Sequence, residues 1–175
     1  MRRDVATVEY RECGLDNVVL QNVPVWKCQR GHMDVQVPAI DSLHMVIAKM
    51  LVLQPWPLRG QDVRFLRKLL GYSGRAFSKR LGLNHVTLSR FENARTRAPR
   101  RFEALVRLFC ARALSERLGQ AFPGRLLPVL EALEAERCGV GSSLHIEHVN
   151  RGTHRPVDSE HAWRQAAESR AAASA

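Results

Sequence analysis

Apolar and polar positions alternate in short stretches over residues 7–40, and turn-forming residues interrupt each stretch. A period of two places every second side chain on the same face of a strand. Glycine and proline between such runs favour turns. The residues concerned are Gly14, Pro24, Gly31 and Pro38. The pattern predicts a small β meander, which we assign to residues 1–40.

The period becomes helical at Asp41, whose side chain is suited to capping a first turn. The apolar positions that follow at helical spacing are Leu43, Val46, Ile47, Met50 and Leu51. The Pro-Trp-Pro run at 55–57 ends this helix, because proline cannot continue the backbone hydrogen-bond ladder. We expect residues 41–57 to form a connecting helix and a linker.

Helical periodicity continues through residues 60–118, in segments that short turns separate. Its apolar positions are Val63, Leu66, Leu70, Phe77, Leu81, Phe102, Leu105, Leu108 and Phe109. One more helix is predicted over 125–137, where Pro128 strains or kinks it. The apolar pattern then fades, so residues 139–175 are predicted to be a disordered tail. The chain as a whole is predicted to be mainly α.

Residues 73–93 contain the signals for two short helices joined by a tight turn. Ser73 can cap the first helix, Gly82 can adopt the left-handed conformation that ends it, and Asn84 can cap the second. A junction of about three residues favours the steep crossing of a helix-turn-helix over an antiparallel hairpin. We expect Leu88 and Phe91 to face the core on the second helix.

The opposite face of this second helix has side chains that suit the major groove of DNA. Arginine can bind guanine at two atoms, histidine and serine can hydrogen-bond base edges, and valine can contact a thymine methyl group. The predicted base-reading residues are His85, Val86, Ser89 and Arg90. The alternative is that these positions are a solvated face of a helical bundle.

Polar and basic side chains surround this reading face and are predicted to contact the phosphate backbone. The predicted phosphate-binding residues are Arg75, Lys79, Thr87, Asn93, Arg95, Arg97, Arg100 and Arg101. Runs of charge are usually solvated faces. Here the arginines follow the candidate reading helix directly, which favours a role beside it.

Composition supports a polyanionic partner. The 175 residues have a formal net charge of +10 and a pI near 10.5, which favours DNA, RNA or an anionic membrane surface. No run approaches the roughly 18 to 20 apolar residues of a membrane span, and the basic start lacks the apolar segment of a secretory signal. We expect a cytoplasmic protein whose four cysteines stay reduced.

The segment SGRAFSKRLGLNHVTLSRFENA, residues 73–94, resembles the helix-turn-helix of the phage repressor and Cro (XRE) family. The resemblance implies a five-helix DNA-binding domain, here over residues 58–138. It implies base contacts from the reading helix, phosphate contacts after it, and a buried pair between Arg67 and Glu92. Two departures from the family pattern are Ser78 in place of a small alanine and Ala94 in place of glycine.

The stretch YRECGLDNVVLQNVPVWKCQRGH and the residues after it resemble the amino-terminal part of MqsA-related antitoxin-like regulators. Those proteins place a small zinc-ribbon-like unit before a repressor-type helix-turn-helix. The family has Cys-x-x-Cys-Gly where this chain has CQRGH, so one cysteine is missing. Cys13, Cys28 and His32 remain as three ligands for zinc. The alternative, which we favour, is a degenerate ribbon with free thiols and no cofactor.

Enzymatic function is not expected. The sequence has no P-loop, no dinucleotide fingerprint and no convincing Cys/His nucleophile pair. The set LHIEH at 144–148 has two histidines and a carboxylate, but a hydrolytic metal site needs several convergent ligands and a pocket.

These observations predict a sequence-specific DNA-binding transcriptional regulator, most simply a repressor. By analogy with the family, the special case is the self-repressing antitoxin of a type II toxin-antitoxin pair, with a toxin as partner. We expect a homodimer on double-stranded DNA, paired through helices 102–118 and 125–137 or through helix 41–53. The alternatives are a protein-interaction module and a nucleic-acid-binding protein without sequence preference.

Overall fold

The computed structural model describes residues 2–28, 32–54, 56–93, 99–119, 123–134, 143–150 and 153–157. The strands within these ranges are β1 (Arg2–Glu9), β2 (Val18–Lys27), β3 (Met33–Val35), β4 (Leu144–Asn150) and β5 (Thr153–Pro156). The helices are α1 (Ile40–Leu53), α2 (Gly60–Leu69), α3 (Gly74–Arg80), α4 (His85–Asn93), α5 (Arg100–Leu118) and α6 (Pro123–Glu134).

The five strands form one mixed sheet in the order β1-β2-β4-β5, with β3 also paired to β2. Strand β2 pairs antiparallel with β1 and β3, and parallel with β4. A bulge interrupts the β1–β2 ladder, and Asn22 there has a φ of 59°, a conformation that asparagine tolerates better than most residues. The extra residue lets Leu20 and Val23, three positions apart, both be buried.

The prediction of a mainly α chain with a small meander is wrong, and so is the prediction of disorder for residues 143–150 and 153–157; the rest of the predicted tail lies outside the described residues. The meander is present as β1, β2 and β3, but β4 and β5 lie within residues 139–175 and enlarge it into a five-stranded sheet. The fold is therefore α+β, with six helices among the described residues rather than five after a meander. The physical reason is burial, because Leu144 and Ile146 enter the core when β4 pairs with β2.

Helix α1 is a central core element, not a connector. Its inner face buries Leu43, Ile47 and Leu51 completely or nearly so, and these residues belong to one apolar cluster that includes the sheet and the other helices. The residue before the helix is Ala39, which is left-handed with a φ of 50° and makes no side-chain cap. Asp41 lies in the first turn, so its predicted position as N-cap is wrong.

Helix α5 is the centre of the helical half. Phe102 packs edge-to-face against Phe91 of α4, with ring centroids 5.0 Å apart. Phe109 packs in the same way against Phe77 of α3 at 5.6 Å. Such aromatic pairs stabilise beyond the area that they bury. The helix predicted over 102–118 is present and begins two residues earlier, at Arg100.

The inner face of α5 is rotated from the one that the sequence predicted. Val106, Cys110 and Leu114 are buried, whereas Leu105 and Leu108 are 45% and 48% exposed. Phe102 and Phe109 lie at the margins of the buried face, partly covered. The buried face of α5 also contains Glu103 and Arg107, which form an ion pair, and this face excludes Leu105 and Leu108.

That ion pair joins Arg107 and Glu103, which are 0% and 2% exposed. The guanidinium donates to the carbonyl oxygens of Leu51 and Val52, both at 2.8 Å, and to that of Trp56 at 2.6 Å. It also donates to Glu103 at 2.8 and 3.0 Å. Helices end with unpaired carbonyl groups, so Arg107 caps α1 from another helix.

The predicted consequence of replacing Arg107 with methionine is a large loss of stability. The variant leaves the Glu103 carboxylate buried without its charge partner, and removing one member of a buried pair costs about 3–5 kcal/mol. Urea unfolding followed by circular dichroism measures this loss. The matched control is Arg11→Met, which removes an exposed pair with Glu9 and should change stability by less than about 1 kcal/mol. Equal effects of the two substitutions would contradict the capping role.

Two histidines face each other across the β4–β5 hairpin. His148 and His154 are register partners, and their ring centroids are 5.2 Å apart. His154 is buried, and neither of its ring nitrogens has a hydrogen-bond partner among the described residues. Burial, followed by repulsion from a protonated His148, lowers the pKa of His154. The folded hairpin therefore favours neutral His154.

The hairpin should make folding stability depend on pH. The folded state lowers the pKa of His154, so the unfolded chain takes up the proton first as the pH falls. The contribution of His154 to the free energy of unfolding is therefore fully present above the unfolded pKa of about 6.5 and decreases below it. Urea unfolding at a series of values between about pH 7 and pH 5 should show a smaller decline for His154→Leu than for the parent chain. The control is His145→Leu, which removes an exposed histidine from the other face of β4. A decline unchanged by His154→Leu would refute this assignment.

Candidate nucleic-acid interface

The two helices α3 and α4 are capped as the sequence predicted. The Ser73 hydroxyl accepts a hydrogen bond from the Ala76 amide at 3.2 Å, and the Asn84 side chain accepts one from the Val86 amide at 2.8 Å. Gly82, between the helices, has a φ of 65°. A left-handed glycine ends one helix, and the N-cap that follows it starts the next helix in a new direction within a few residues. The turn is therefore specified by local chemistry.

The inner sides of α3 and α4 are anchored in the core. Phe77 is fully buried, Leu88 is 1% exposed, and Phe91 is largely buried. Ser78 is buried as well, and its hydroxyl donates to the Arg75 carbonyl oxygen at 3.0 Å. The hydroxyl is thus satisfied where the family pattern has alanine. Ala94, the other departure, lies outside the described residues.

The outer face of α4 is open to solvent. His85, Val86 and Arg90 are exposed, and Ser89 is partly exposed. Within the ranges that the structure describes, the side chains of His85 and Arg90 make no hydrogen bond and no ion pair. The structure therefore brings the four predicted base-reading residues onto one surface.

His85 lies beside the first turn of α3. A methyl group added at Gly74 would be 3.1 Å from Nε2 of His85, which is tighter than an ordinary van der Waals contact. Glycine at this position leaves room for the imidazole against the start of α3. The contact restricts where the His85 ring can lie on the exposed surface.

The predicted phosphate-binding residues surround α4 where the structure describes them. Arg75 and Lys79 are exposed on α3, and Arg100 and Arg101 are exposed at the start of α5. Two more exposed residues, Thr87 and Asn93, lie on α4 itself. Arg95 and Arg97 lie outside the described residues.

Arg67 and Glu92 form the pair that the family resemblance implied. Two hydrogen bonds join the guanidinium to the two carboxylate oxygens, at 2.6 and 2.8 Å. The side chains are 13% and 7% exposed, and Arg67 also donates to the Tyr72 carbonyl oxygen at 2.9 Å. The hydrogen bonds to Glu92 raise the pKa of Arg67. This two-point pair ties α4 to α2 and to the turn after α2.

An open cleft of about 320 Å³ lies between α2 and α4. Its floor is the Arg67–Glu92 pair, and its walls include Arg64 and Lys68 from α2. The Arg64 guanidinium donates to the side-chain oxygen of Asn93. The cleft also contains His85 and Ser89, so it opens directly onto the reading face.

Sequence reasoning missed Arg64 and Lys68 as members of this surface. The signal was present, because residues four apart share one face of a helix, and Val63 and Leu66 mark the opposite, buried face of α2. The packing of α2 against α4 could not be predicted from the sequence, and it is this packing that places the two cations beside α4.

The three proposed zinc ligands are not brought together. Cys13 precedes β2 and Cys28 follows it, and ten residues of strand at about 3.3 Å each span roughly 30 Å. His32 lies near Cys28, whose amide donates to the His32 carbonyl oxygen. No group of three or more His, Cys, Asp or Glu that could hold a metal ion occurs in the described part of the chain. The described structure therefore places Cys13 and Cys28 at opposite ends of β2 and does not bring the three candidate ligands to one point.

Two of the three described cysteines, Cys13 and Cys110, are held by neighbouring protein groups. The Cys13 thiol donates to the Tyr10 carbonyl oxygen at 3.6 Å, and burial raises the pKa of Cys13. Cys110 lies in the core, where burial raises its pKa to about 12. Both thiols are therefore held in the protonated form at neutral pH.

The residues of LHIEH do not converge. His148 faces His154 on the inner side of β4. Glu147, on the other face, accepts hydrogen bonds from Asn22 and Arg155, each at 2.8 Å. These partners are those of a solvated sheet surface.

No family model, no curated protein and no solved structure matches this chain. None of the helices in the described ranges has the length and apolar character that crossing a bilayer requires.

Replacing Glu92 with glutamine should destabilise the chain by about 2–4 kcal/mol, because it leaves the partly buried Arg67 charge against a neutral partner. Urea unfolding measures the change. The control Glu9→Gln alters an exposed carboxylate that is 65% accessible, and its effect should stay within about 0.5 kcal/mol. A Glu92→Gln variant as stable as the control would show that the pair does not hold α4 in place.

Proposed function

We propose that this chain is a sequence-specific double-stranded DNA-binding protein and a transcriptional regulator, with α4 as its reading helix. The observation that supports the proposal is the division of α4 into two faces. The inner face is held by Leu88, Phe91 and Glu92, whereas the outer face presents His85 and Arg90 to solvent. A helix fixed on one side and polar on the other fits the major groove.

The exposed side chains match the chemistry of base edges. Arg90 can donate two hydrogen bonds to O6 and N7 of guanine, His85 can bond one base edge, and Val86 can contact a thymine methyl group. Val86 is 53% exposed, and contact with a thymine methyl group would remove its apolar surface from water. A short reading surface of this kind covers only a few base pairs.

Cations flank the reading face on two sides. Arg64 and Lys68 lie on the α2 side, and Arg75 and Lys79 lie on the α3 side. Phosphates border the major groove on both edges, so two flanking sets of cations would position the helix without reading sequence. The net charge of +10 favours the same class of partner.

A regulator that occupies an operator excludes the transcription machinery, so repression is the simplest outcome of binding. We extend the proposal to autoregulation by an antitoxin of the type II class on the family resemblance alone. In that case the sheet half would carry the surface for a toxin.

Selection from a randomised duplex pool, followed by footprinting on the selected DNA and on DNA upstream of the chain's own gene, tests this function. We expect one preferred sequence, with affinity that falls steeply as salt increases because several phosphates are neutralised. Arg90→Ala should reduce preference at one base pair by about 1–3 kcal/mol.

The matched variant is Arg64→Ala, at the cleft. It should weaken binding to all sequences alike and reduce the salt slope by roughly one. Folding of both variants is checked by circular dichroism. Equal loss on every sequence from Arg90→Ala would remove the assignment of this residue to base reading. Salt-dependent binding without any preferred sequence would favour a general nucleic-acid-binding protein, and no binding would favour a protein-interaction module.

A further inference from the structure

A stripe of five exposed residues runs along the outer face of α5. The residues are Arg101, Leu105, Leu108, Arg112 and Glu116, and we refer to them as the α5 stripe. Their spacing of three or four places them on one side of the helix. The leucines at its centre are 45% and 48% exposed.

The order of residues in the α5 stripe suits contact with a copy of itself. A solvent-facing stripe is normally polar throughout, whereas this one has leucines in the middle and charges toward both ends. The amino-terminal end is cationic at Arg101, and the carboxy-terminal end is anionic at Glu116. Two such stripes are complementary when the helices run in opposite directions.

We infer that the α5 stripe is a homodimer surface on which two copies of α5 pack antiparallel about a two-fold axis near Leu108. A two-fold interface uses the same patch on both subunits. Leu108 then meets its counterpart at the axis, Leu105 of each copy packs on the aliphatic stem of Arg112 of the partner subunit, and Arg101 faces Glu116 of the partner subunit.

The charges select this arrangement over its alternatives. A parallel pairing would place each arginine against its own copy. An antiparallel pairing centred about two residues earlier would oppose Arg101 and Arg112, which carry the same charge. Arg112 donates to Oε1 of Glu116 at 3.0 Å within its own helix. In the inferred register, Arg101 of the partner subunit would pair with the same carboxylate.

The α5 stripe shares Arg101 with the predicted phosphate-binding residues but contains none of the four predicted base-reading residues, and the inference does not rest on the proposed function. Self-association is measured without nucleic acid, so a failure of either proposal leaves the other open. If both hold, the dimer supplies two copies of α4 for a palindromic site.

The test is sedimentation equilibrium of the full chain, over a range of concentrations and without DNA. We expect a monomer–dimer equilibrium with a dissociation constant on the order of micromolar, as for a small interface. Leu108→Glu should raise the constant by roughly a hundredfold, since it places two carboxylates at the axis. The control is Leu127→Glu, at a leucine of α6 that is 60% exposed, and it should leave the constant unchanged.

A charge-swap cycle tests the register without touching the apolar residues. Arg101→Glu alone and Glu116→Arg alone should each raise the dissociation constant by roughly tenfold, and the double variant should restore it to within about threefold of the parent. The residues are exposed, so folding should persist, and circular dichroism verifies it.

A parent chain that stays monomeric at high concentration overturns the inference, whichever segment then covers the leucines. So does a dimer that Leu127→Glu dissociates while Leu108→Glu does not. A dimer whose charge-swap double variant is no tighter than the single variants would overturn the antiparallel register.

Discussion

The buried guanidinium of Arg107 is the interaction on which the rest of the structure depends. A charge removed from water is tolerated only when its donors are all occupied, and here they meet three backbone carbonyl groups and a carboxylate. Those carbonyls belong to the end of α1 and to the segment that leads into α2. Glu103 accepts the Leu58 amide in turn at 2.9 Å. One side chain of α5 therefore holds the end of one helix and the approach to the next.

Burial of Arg107 and Glu103 fixes the rotation of α5 about its axis. This rotation decides which residues of the helix enter the core, which lie at its margin and which face solvent. With Arg107 and Glu103 turned inward, Val106 and Cys110 enter the core beside them. Phe102 and Phe109 are then placed at the margin, where they pack against the aromatic rings of α4 and α3. The remaining side carries the two exposed leucines. The same helix thus caps α1, supports α4, and has two exposed leucines on its outer side.

The parts of the candidate site that could be predicted are those whose interactions join residues close together in the sequence. The caps at Ser73 and Asn84 and the two faces of α4 follow from residues within a few positions of one another, and the structure has them where the sequence placed them. Arg64 and Lys68 were missed, because they reach the site through the packing of α2 on α4. The candidate zinc ligands could not be judged from local sequence, because Cys13 and Cys28 lie at opposite ends of the ten-residue strand β2.

The sequence by itself determined the elements whose stability is local: the strand-and-turn pattern before Asp41, the capped pair of short helices, and the exposed face of α4 opposite Leu88 and Phe91. Only the tertiary structure decided that β4 joins β2 in parallel, that α1 is a core helix, and which side of α5 faces inward. Gln21 contacts His145 across 124 positions of the chain. Pairing over such a distance has no local signature, because it is stabilised by burial of Leu144 and Ile146 against residues that the neighbouring sequence does not contain.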